Sequence, residues 1–358
     1  MSNATLHRRA EWAPQRGIIM GWPGLESTLK EYPDKLAKTT QEVSAIAAAI
    51  AQFEPVTMLV GAERMDEAIA HFAQVDTPFP ITPRRIQGSS MDVWLRDFGP
   101  VFLIKTGPGA DRSLAGLDCG FNGWGHRHTT PTIVGLAKTL LTDMRIERLE
   151  TPIVTEGGAL ETDGEGTLLL TESSIVNDNR NPGRSRHEIE GELVRCLGVD
   201  KVIWIPGRPG IDSTDCHIDA LARFVRPGVI LLSKANEAKP TDWTVVYEEA
   251  LEILSSATDA KGRPFEILEV EEPDEECFEP PPKGVDSDRP VRSYVNYLLV
   301  NGGVILPQFD DPAHDTAAIR IAQRAFGGER RICPVLIEEL TLRGGGIHCC
   351  TQEIPMLP

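Results

Sequence analysis

Apolar residues recur along the chain with two different periods. They return every three or four positions in the stretches where we predict helices, which are residues 34–53, 64–74, 131–144, 185–198, 242–257 and 311–326. Most of these stretches begin with Ser, Asp or Pro, residue types that are typical of helix starts. Between them lie short β-branched or aliphatic runs that predict strands, namely "PVTMLV", "VFLI", "TLLLT", "KVIWIP", "GVILLS", "FEILEV", "GVILP" and "ICPVLI". The pattern therefore predicts a mixed α/β fold.

A second and longer pattern consists of five segments that resemble hairpins. In each, a short stretch with a polar residue precedes a Gly-bearing turn and a strand. The polar residues are Asp97, Glu156, His217, Asn296 and Cys349, at intervals of about 50 to 80 residues. An internal repeat of five units would explain this spacing, but any α/β protein places strands at such intervals. The pattern alone leaves both interpretations open.

Only one stretch is predicted to be an insertion. Residues 271–290, "EEPDEECFEPPPKGVDSDRP", combine acidic residues with five prolines and follow neither period, which predicts an irregular loop or lid. The sequence contains no segment typical of an interdomain linker. We therefore expect residues 1–358 to form a single domain.

Composition narrows the classes of function. The 358 residues carry a formal net charge of -17, and a nucleic-acid-binding protein would need clustered Lys and Arg instead. No run of about 18 apolar residues predicts a membrane span, and the first residues lack the apolar core of a secretory signal. The seven cysteines are an odd number and are scattered, unlike a disulfide framework, so we expect a cytoplasmic location.

Two motifs contribute carboxylates that could bind a cation. In "MDVWLRDFGP", Asp92 and Asp97 flank Trp94, and such a set suits a flat cation whose N–H groups meet carboxylates while its face meets the indole. The alternative is a half-buried strand with a structural pair between Arg96 and a carboxylate. In "VTEGGALETDGEGT", Glu156 could orient a histidine, although "EGG" and "DGEG" are also typical of turns.

Two further motifs contribute an imidazole and a thiol. If "DSTDCHIDALARF" forms a strand, His217 and Asp219 point to the same face and suit acid/base chemistry, although an isolated pair of this kind is also common on surfaces. In "GGGIHCC", Gly345 and Gly346 allow a close approach of the backbone to a ligand, and Cys349 could attack an electrophile. A buried terminal strand would explain the same residues.

A metal-binding or redox role is a competing hypothesis for the cysteines and histidines. Its candidate ligands would be Cys216, His217, His348, Cys349 and Cys350. Neighbouring residues on a strand point to opposite faces, so adjacent pairs cannot easily bind one ion, and no Cys-x-x-Cys spacing is present. The same alternation predicts that Cys350 packs on the face opposite Cys349.

Taken together, the motifs resemble those of the agmatine deiminase family, which includes the bacterial-type peptidylarginine deiminases. The resemblance extends over nearly the full length, in the order "AEWAPQRGIIMGWP", "WLRDFGP", "FNGWG", "EGGALETDGEGTLLLTE", "NDNRNPG", "HIDALARFVRPG", "SYVNYLLVNGGVILP" and "GGGIHCCTQE". It implies a five-bladed α/β propeller, or pentein, of pseudo-repeated ββαβ units.

The resemblance also implies roles for individual residues. Cys349 would be the nucleophile, His217 the general acid/base, Asp97 and Asp219 the carboxylates that bind a guanidinium, and Glu156 the residue that holds the histidine. Substrate-binding positions would include Asp92, Trp94, Asn296, Trp22, Trp124, Gly345 and Gly346. No metal or organic cofactor is expected. The expected partner is a small cationic guanidino compound, and dimers or larger assemblies of the chain are expected from the family.

The default activity implied by the resemblance is hydrolysis of agmatine to N-carbamoylputrescine and ammonia. Alternative substrates are arginine in a peptide, a cyclic dipeptide or another small arginine derivative, each giving citrulline. Amidinotransfer and a catalytically silent relative are further alternatives. The chain departs from the family at Cys216, where a glycine is usual, at Ser213, where an acidic residue is usual, and at Cys350, where an aliphatic residue is usual.

Overall fold

The computed structural model of the chain describes residues 4–24, 33–88, 91–236, 240–278 and 290–358. Across these ranges the strands form five sheets, of which two have four strands and three have three strands. No helix in the same ranges is long and apolar enough to cross a membrane. The mixed α/β class predicted from the apolar periods is confirmed.

Within the described ranges the elements are numbered in chain order. The strands are β1 Thr5–His7, β2 Gln15–Gly21, β3 Val56–Val60, β4 Ile81–Arg85, β5 Val101–Thr106, β6 Arg112–Asp118, β7 Glu147–Glu150, β8 Glu161–Thr162, β9 Thr167–Thr171, β10 Lys201–Ile205, β11 Ala222–Arg226, β12 Val229–Lys234, β13 Glu266–Glu271, β14 Leu298–Val300, β15 Gly303–Gln308, β16 Arg331–Leu336 and β17 Thr351–Pro355. The α-helices are α1 Pro33–Ile50, α2 Met65–Phe72, α3 Leu95–Phe98, α4 Gly123–His126, α5 Pro131–Val134, α6 Leu136–Met144, α7 Glu172–Ile175, α8 Arg186–Leu197, α9 Asp242–Ser256, α10 Pro312–Phe326 and α11 Glu339–Leu342. The helix predicted over residues 131–144 is divided into α5 and α6 because Gly135 caps the first of them.

The five sheets repeat one order of strands and helices. The repeating units, which we call blades 1 to 5, are β17-β2-α1-β3, β5-β6-α6-β7, β8-β9-α8-β10, β11-β12-α9-β13 and β14-β15-α10-β16. In every blade the first two strands are antiparallel and the second and third are parallel. A parallel pair needs a crossover connection, which the helix provides. This order confirms the predicted ββαβ units of a five-bladed propeller.

The middle strands of the blades are apolar because they are covered on both faces. All five residues of β9 are buried, and so are the first five residues of β15. Strands buried on both sides have continuous apolar runs rather than alternating ones. This explains why the predicted strands were short aliphatic runs such as "TLLLT" and "GVILP".

Blade 1 combines the two ends of the described chain. β17 pairs antiparallel with β2, so that Thr351 lies opposite Met20 and Gln352 lies opposite Ile19. From this strand Glu353 forms an ion pair of 2.6 Å with Arg96, which lies in α3, just before blade 2. Arg96 is fully buried, so the last strand holds a charged side chain that no solvent reaches.

The prediction that the motif residues lie on strands was wrong. His217 directly precedes a 3-10 turn at Ile218–Ala220, and Asp219 lies within that turn, before β11 begins. Cys349 and its neighbour Cys350 lie in a turn before β17 rather than in the strand. A strand residue can point only to one of two faces of its own sheet, whereas a turn before the strand can direct a side chain toward the other blades.

The predicted irregular loop at 271–290 is partly regular where it is described. Glu271 is the last residue of β13, and Glu275–Cys277 form a 3-10 turn. Arg292, just after the loop, pairs with Glu275 at 2.8 Å. Residues 279–289 of the predicted loop lie outside the described residues.

The pairing of β17 with β2 can be tested by deleting residues 351–358. We expect loss of the cooperative thermal unfolding transition in calorimetry, because the deletion removes a strand and leaves the buried Arg96 without Glu353. Deleting only residues 357–358, which are exposed, is the matched control and should keep the wild-type midpoint. A wild-type midpoint for the longer deletion would contradict the closure of the fold through β17.

Candidate active site

One polar side chain precedes the first strand of each blade. Asp97 lies in α3, Glu156 and His217 each precede a 3-10 turn, Asn296 follows a turn at 294–295, and Cys349 lies in the turn at 347–350. All five residues are buried, with relative exposures between 0% and 8%. The periodic polar residues of the sequence are therefore the corresponding positions of five repeated units.

The Cys349 thiol contacts an amide and a carboxylate. Its Sγ lies 3.3 Å from Asn296 Nδ2 and 3.7 Å from Asp219 Oδ2. Asn296 also fixes the turn, because its Oδ1 accepts the backbone N–H of His348 at 3.0 Å. Burial, together with the negative charges of Asp219 and Asp97, raises the pKa of Cys349 well above its usual value. In this environment the sulfur is a neutral thiol.

The His217 ring lies between two carboxylates. Its Nδ1 is 3.7 Å from Asp97 Oδ1, and its Nε2 is 3.5 Å from Glu156 Oε2. Burial by itself would lower the pKa of His217, but the carboxylates of Asp97, Glu156 and Asp219 outweigh it and raise the pKa to about 9. His217 therefore carries a proton at neutral pH.

The two aspartates have opposite pKa shifts. Burial, with help from the charges of Asp219 and Glu156, raises the pKa of Asp97, whose oxygens accept from Trp124 Nε1 at 2.8 Å and from the backbone of Gly158 at 3.1 Å. Burial would also raise the pKa of Asp219, but the hydrogen bond from His348 together with the nearby His348, His217 and Arg223 side chains outweighs it, and the pKa is lowered. Asp219 is thus the carboxylate that keeps its charge more readily.

Gly158 lies where three of these groups converge. A Cβ atom on this residue would lie 2.6 Å from His217 Nδ1, 2.9 Å from Asp97 Oδ1 and 3.0 Å from Asp219 Oδ2. Real Cβ atoms do not approach polar atoms so closely, so the backbone must be glycine here. Sequence analysis assigned this glycine only to a turn, and no local signal distinguishes it from Gly157.

Arg180 supports Glu156 from behind. It is fully buried, with Nε 3.0 Å from Glu156 Oε1 and Nη1 2.5 Å from Asp215 Oδ2. Asp215 and Cys216 both adopt left-handed backbone angles, with φ of 62° and 78°, immediately before His217. Sequence analysis included Arg180 only as part of the motif "NDNRNPG" and gave it no role.

His348 faces a carboxylate on each side. Its Nδ1 lies 2.8 Å from Asp219 Oδ2, and its Nε2 lies 2.7 Å from Glu11 Oε2. Both ring nitrogens are therefore engaged by protein groups. His348 had been considered only as a metal ligand, and Glu11 had been assigned no role.

The predicted substrate-binding residues fall into different environments. Trp124 contacts Asp97, as described above. Trp94 and Asp92 face Arg343, whose guanidinium carbon lies 5.6 Å from the Trp94 ring centroid and whose Nη2 lies 3.4 Å from Asp92 Oδ1. The carboxylate and indole that were predicted to bind a substrate cation thus contact a cation of the protein itself.

Trp22, Gly345 and Gly346 lie in tightly packed surroundings. The Trp22 ring is buried against Phe72, with ring centroids 5.1 Å apart. A Cβ on Gly345 would collide with the Trp94 ring, and a Cβ on Gly346 would lie 2.5 Å from Asn296 Oδ1. These glycines allow protein side chains to approach the turn that carries Cys349.

The chain is similar to known proteins over nearly its full length. Residues 7–355 match the model of the Porphyromonas-type peptidyl-arginine deiminase family. The chain is 39% identical to the agmatine deiminase of Pseudomonas syringae pv. tomato, over 98% of this chain and 95% of that protein, and 35% identical to that of Medicago truncatula, over 98% and 96%. A solved structure of Enterococcus faecalis agmatine deiminase superimposes with a TM-score of 0.83 at 27% identity, covering 99% of this chain and 98% of that one.

These matches confirm the resemblance that the sequence motifs indicated. The fold and the relatives together define the class of the chain, which is that of the guanidino-group deiminases. Within that class, the chain belongs to the Porphyromonas-type peptidyl-arginine deiminase family.

The charge of His217 can be measured by NMR titration. We expect a pKa of about 9 in the wild-type protein and a lower value in Glu156→Gln, which removes one of the negative charges beside the ring. Since the folded pKa lies above the ordinary value of 6.5, this pairing stabilises the fold fully below pH 6.5, and its contribution is lost as the pH rises through about 9. The exposed His187 is the control, because its titration should be the same in both proteins. A His217 pKa at or below 6.5 in the wild type would contradict the assignment.

Proposed function

We propose that the chain hydrolyses a guanidino group and that agmatine is its substrate, giving N-carbamoylputrescine and ammonia. The observation that carries this proposal is the convergence of His217, Asp97 and Asp219 around the side-chain-free face of Gly158, with Cys349 Sγ 3.7 Å from Asp219 Oδ2. A thiol, an imidazole and two carboxylates are the groups that a hydrolytic attack on a guanidinium requires. The relatives at 35% and 39% identity carry the name agmatine deiminase.

Substrate binding depends first on the opposite charges of the guanidinium and the two aspartates. A guanidinium is planar and positive, and its central carbon is a poor electrophile until it is fixed in position. Asp97 and Asp219 accept its N–H groups and direct the carbon toward the Cys349 sulfur, which lies 3.7 Å from Asp219 Oδ2. Oδ1 of Asp219 is buried and has no hydrogen-bond partner within the described residues, so it is free to accept from the substrate.

Substrate binding then activates the thiol. The positive guanidinium offsets the carboxylates that raise the pKa of Cys349, so that the thiol loses its proton to solvent. The thiolate forms a bond to the guanidino carbon. His217, which is protonated, gives its proton to one nitrogen, and the C–N bond to that nitrogen breaks to release ammonia. An amidino-thioether on Cys349 remains.

Water completes the reaction. His217, now neutral, accepts a proton from a water molecule as its oxygen attacks the amidino carbon. The C–S bond then breaks, the remaining proton of the new hydroxyl group passes to the departing Cys349 sulfur, and the ureido product is released with the thiol restored. Glu156 keeps the imidazole in place through both half-reactions, and Arg180 keeps Glu156 in place. Every step uses side chains and water alone.

The proposal also concerns how much of the chain is needed for activity. Each of the five blades contributes one of the polar side chains described above, so no part of the propeller can be removed without loss of a site residue. We therefore propose that residues 1–358 act as one domain. The exposure of only 8% at Cys349 favours a small guanidino compound, whose reactive group can enter a narrow site, over arginine held in a folded protein.

A substrate panel tests the activity. Purified protein is incubated with agmatine, free arginine, a cyclic arginine dipeptide and short arginine peptides, and ammonia and ureido product are measured. We expect turnover of agmatine to exceed that of the arginine compounds. Transfer of the amidino group to an added amine without release of a ureido product would indicate an amidinotransferase. Absence of any turnover by folded protein would contradict the proposal.

The two adjacent cysteines give a matched test of the nucleophile. Cys349→Ser should abolish ammonia release, because a serine hydroxyl does not ionise readily here, and it should leave the thermal midpoint nearly unchanged. Cys350→Ser should retain most activity. Steady-state ammonia release and calorimetry measure both effects. If the two results were reversed, the nucleophile would be Cys350.

Gly158→Ala tests the shared space between the acid/base groups. The added methyl group would displace His217 or one of the two aspartates, so we expect kcat/KM to fall by roughly 100-fold, the order seen when catalytic groups are moved by about 1 Å. Gly191→Ala is the matched control, because a Cβ there meets no atom of the described residues within 4 Å. Equal activity of the Gly158→Ala and Gly191→Ala proteins would show that the convergence is not used in catalysis.

A further inference from the structure

The imidazole of His348 bridges the active site and a buried ionic cluster. It is 1% exposed and connects Asp219, which contacts the Cys349 sulfur, to Glu11 in the N-terminal segment. The three groups form the line Asp219, His348, Glu11, with hydrogen-bond distances of 2.8 and 2.7 Å. No step of the mechanism above uses His348 or Glu11.

Glu11 is held as a carboxylate by its other neighbours. One of its oxygens lies 2.9 Å from Arg223 Nη2 and 3.7 Å from Arg96 Nη2, and the other accepts the backbone N–H of Leu299 at 2.7 Å. Burial would raise the pKa of Glu11, but Arg223 and His348 outweigh it and hold the pKa well below its usual value. Glu11 therefore has no proton to donate to the histidine.

The state of His348 follows from its two acceptors. An ionised carboxylate only accepts hydrogen bonds, so Nε2 must donate to Glu11 and Nδ1 must donate to Asp219. A neutral imidazole has one N–H, whereas an imidazolium has two. Donation to both sides therefore requires the imidazolium, which places a positive charge directly beside Asp219.

This charge has a consequence for the free oxygen of Asp219. Oδ2 is tied to His348, while Oδ1 is buried and has no hydrogen-bond partner within the described residues. The free oxygen can receive a guanidinium N–H only if the carboxylate is ionised and does not rotate. His348 is also the residue before Cys349, so one short turn positions both the nucleophile and the partner of the binding carboxylate.

We propose that His348 is a positioning residue that, as an imidazolium bridged between Asp219 and Glu11, keeps Asp219 ionised and oriented toward the guanidinium, with Glu11 as its remote partner. This inference rests on the proposed function, since it assigns the substrate contact to Asp219. His348 and Glu11 do not touch the reacting atoms and act through Asp219 alone.

Other titratable groups lie around Asp219, His348 and Glu11 and must stay unchanged in the test. Those facing Asp219, His348 or Glu11 from neighbouring elements are His217, Asp97, Cys349, Arg223, Arg96, Glu161, Arg330, Glu54 and Tyr297. None of them is changed in the variants below. A shift in pH dependence between the wild type and a variant can therefore be assigned to the side chain that the variant changes.

Two variants remove the two links separately. His348→Gln removes the cation beside Asp219, and Glu11→Gln keeps an acceptor oxygen for Nε2 but removes the charge that favours the imidazolium. We expect kcat/KM for agmatine to fall by roughly 10- to 100-fold in His348→Gln, the range found when a residue that orients a binding group is lost, and by less in Glu11→Gln. Most of the loss should lie in KM, because Asp219 binds the ground-state cation.

The pH dependence distinguishes this role from a structural one. Without the cation, the pKa of Asp219 rises, so the acid limb of kcat/KM should move to higher pH in both variants. A residue needed only for folding would lower the thermal midpoint without moving that limb. His187→Gln and Glu150→Gln, both at exposed positions, are the matched controls and should leave the acid limb in place.

A direct titration makes the result independent of turnover. In protein labelled with ¹³C at the aspartate carboxyl groups, the Asp219 signal is assigned from its loss in Asp219→Asn, and it should titrate at higher pH in both variants than in the wild type. An unshifted Asp219 titration in folded variants would overturn the inference. Wild-type protein that turned over no guanidino compound would instead contradict the proposed function, and the titration would still decide the role of His348.

Discussion

The burial of three carboxylates around one imidazole, that of His217, is the constraint on which the rest of the site depends. These residues, Asp97, Glu156 and Asp219, are at most 4% exposed, and an unpaired charge at such depth costs on the order of several kcal/mol. The protein therefore supplies each with a donor or a cation, which are Trp124 for Asp97, Arg180 for Glu156 and His348 for Asp219. These partners come from different blades or from the segments between them, so the site and the closed fold require each other.

The buried carboxylates are not stabilised equally by their partners, and this difference suits a cationic substrate. Asp219 accepts a hydrogen bond from His348 at 2.8 Å and has a lowered pKa, whereas Asp97 accepts hydrogen bonds from neutral donors, lies 3.7 Å from the His217 ring, and has a raised pKa. Pairs of titratable groups whose pKa values are pushed apart are typical of acid/base sites. A guanidinium entering between them adds a positive charge, which favours ionisation of both Asp97 and the Cys349 thiol. Binding and activation are thus one electrostatic event rather than two.

The sequence predicted the elements well because their causes are local. Apolar periods located the longer helices and eight of the described strands, and turn residues located the five segments that carry the site. Sequence analysis placed His217 and Cys349 on strands. Neither the apolar period nor the turn residues distinguish a residue within a strand from a residue in the turn just before that strand. Partners such as Glu11 and Arg180 were missed for another reason. Glu11 lies 337 residues from His348 in sequence, and no spacing rule connects them before the fold brings them together.

The departure at Cys216 shows how the fold tolerates an unusual residue beside the acid/base. Its φ of 78° is one that glycine adopts freely, and a glycine is what the family resemblance leads us to expect there. The cysteine keeps this conformation because it is fully buried and because its carbonyl accepts the Thr171 hydroxyl at 2.5 Å. Asp215, also left-handed, is held by Arg180. The strain is therefore distributed over two residues that are fixed independently of His217, so the imidazole keeps its position between Asp97 and Glu156.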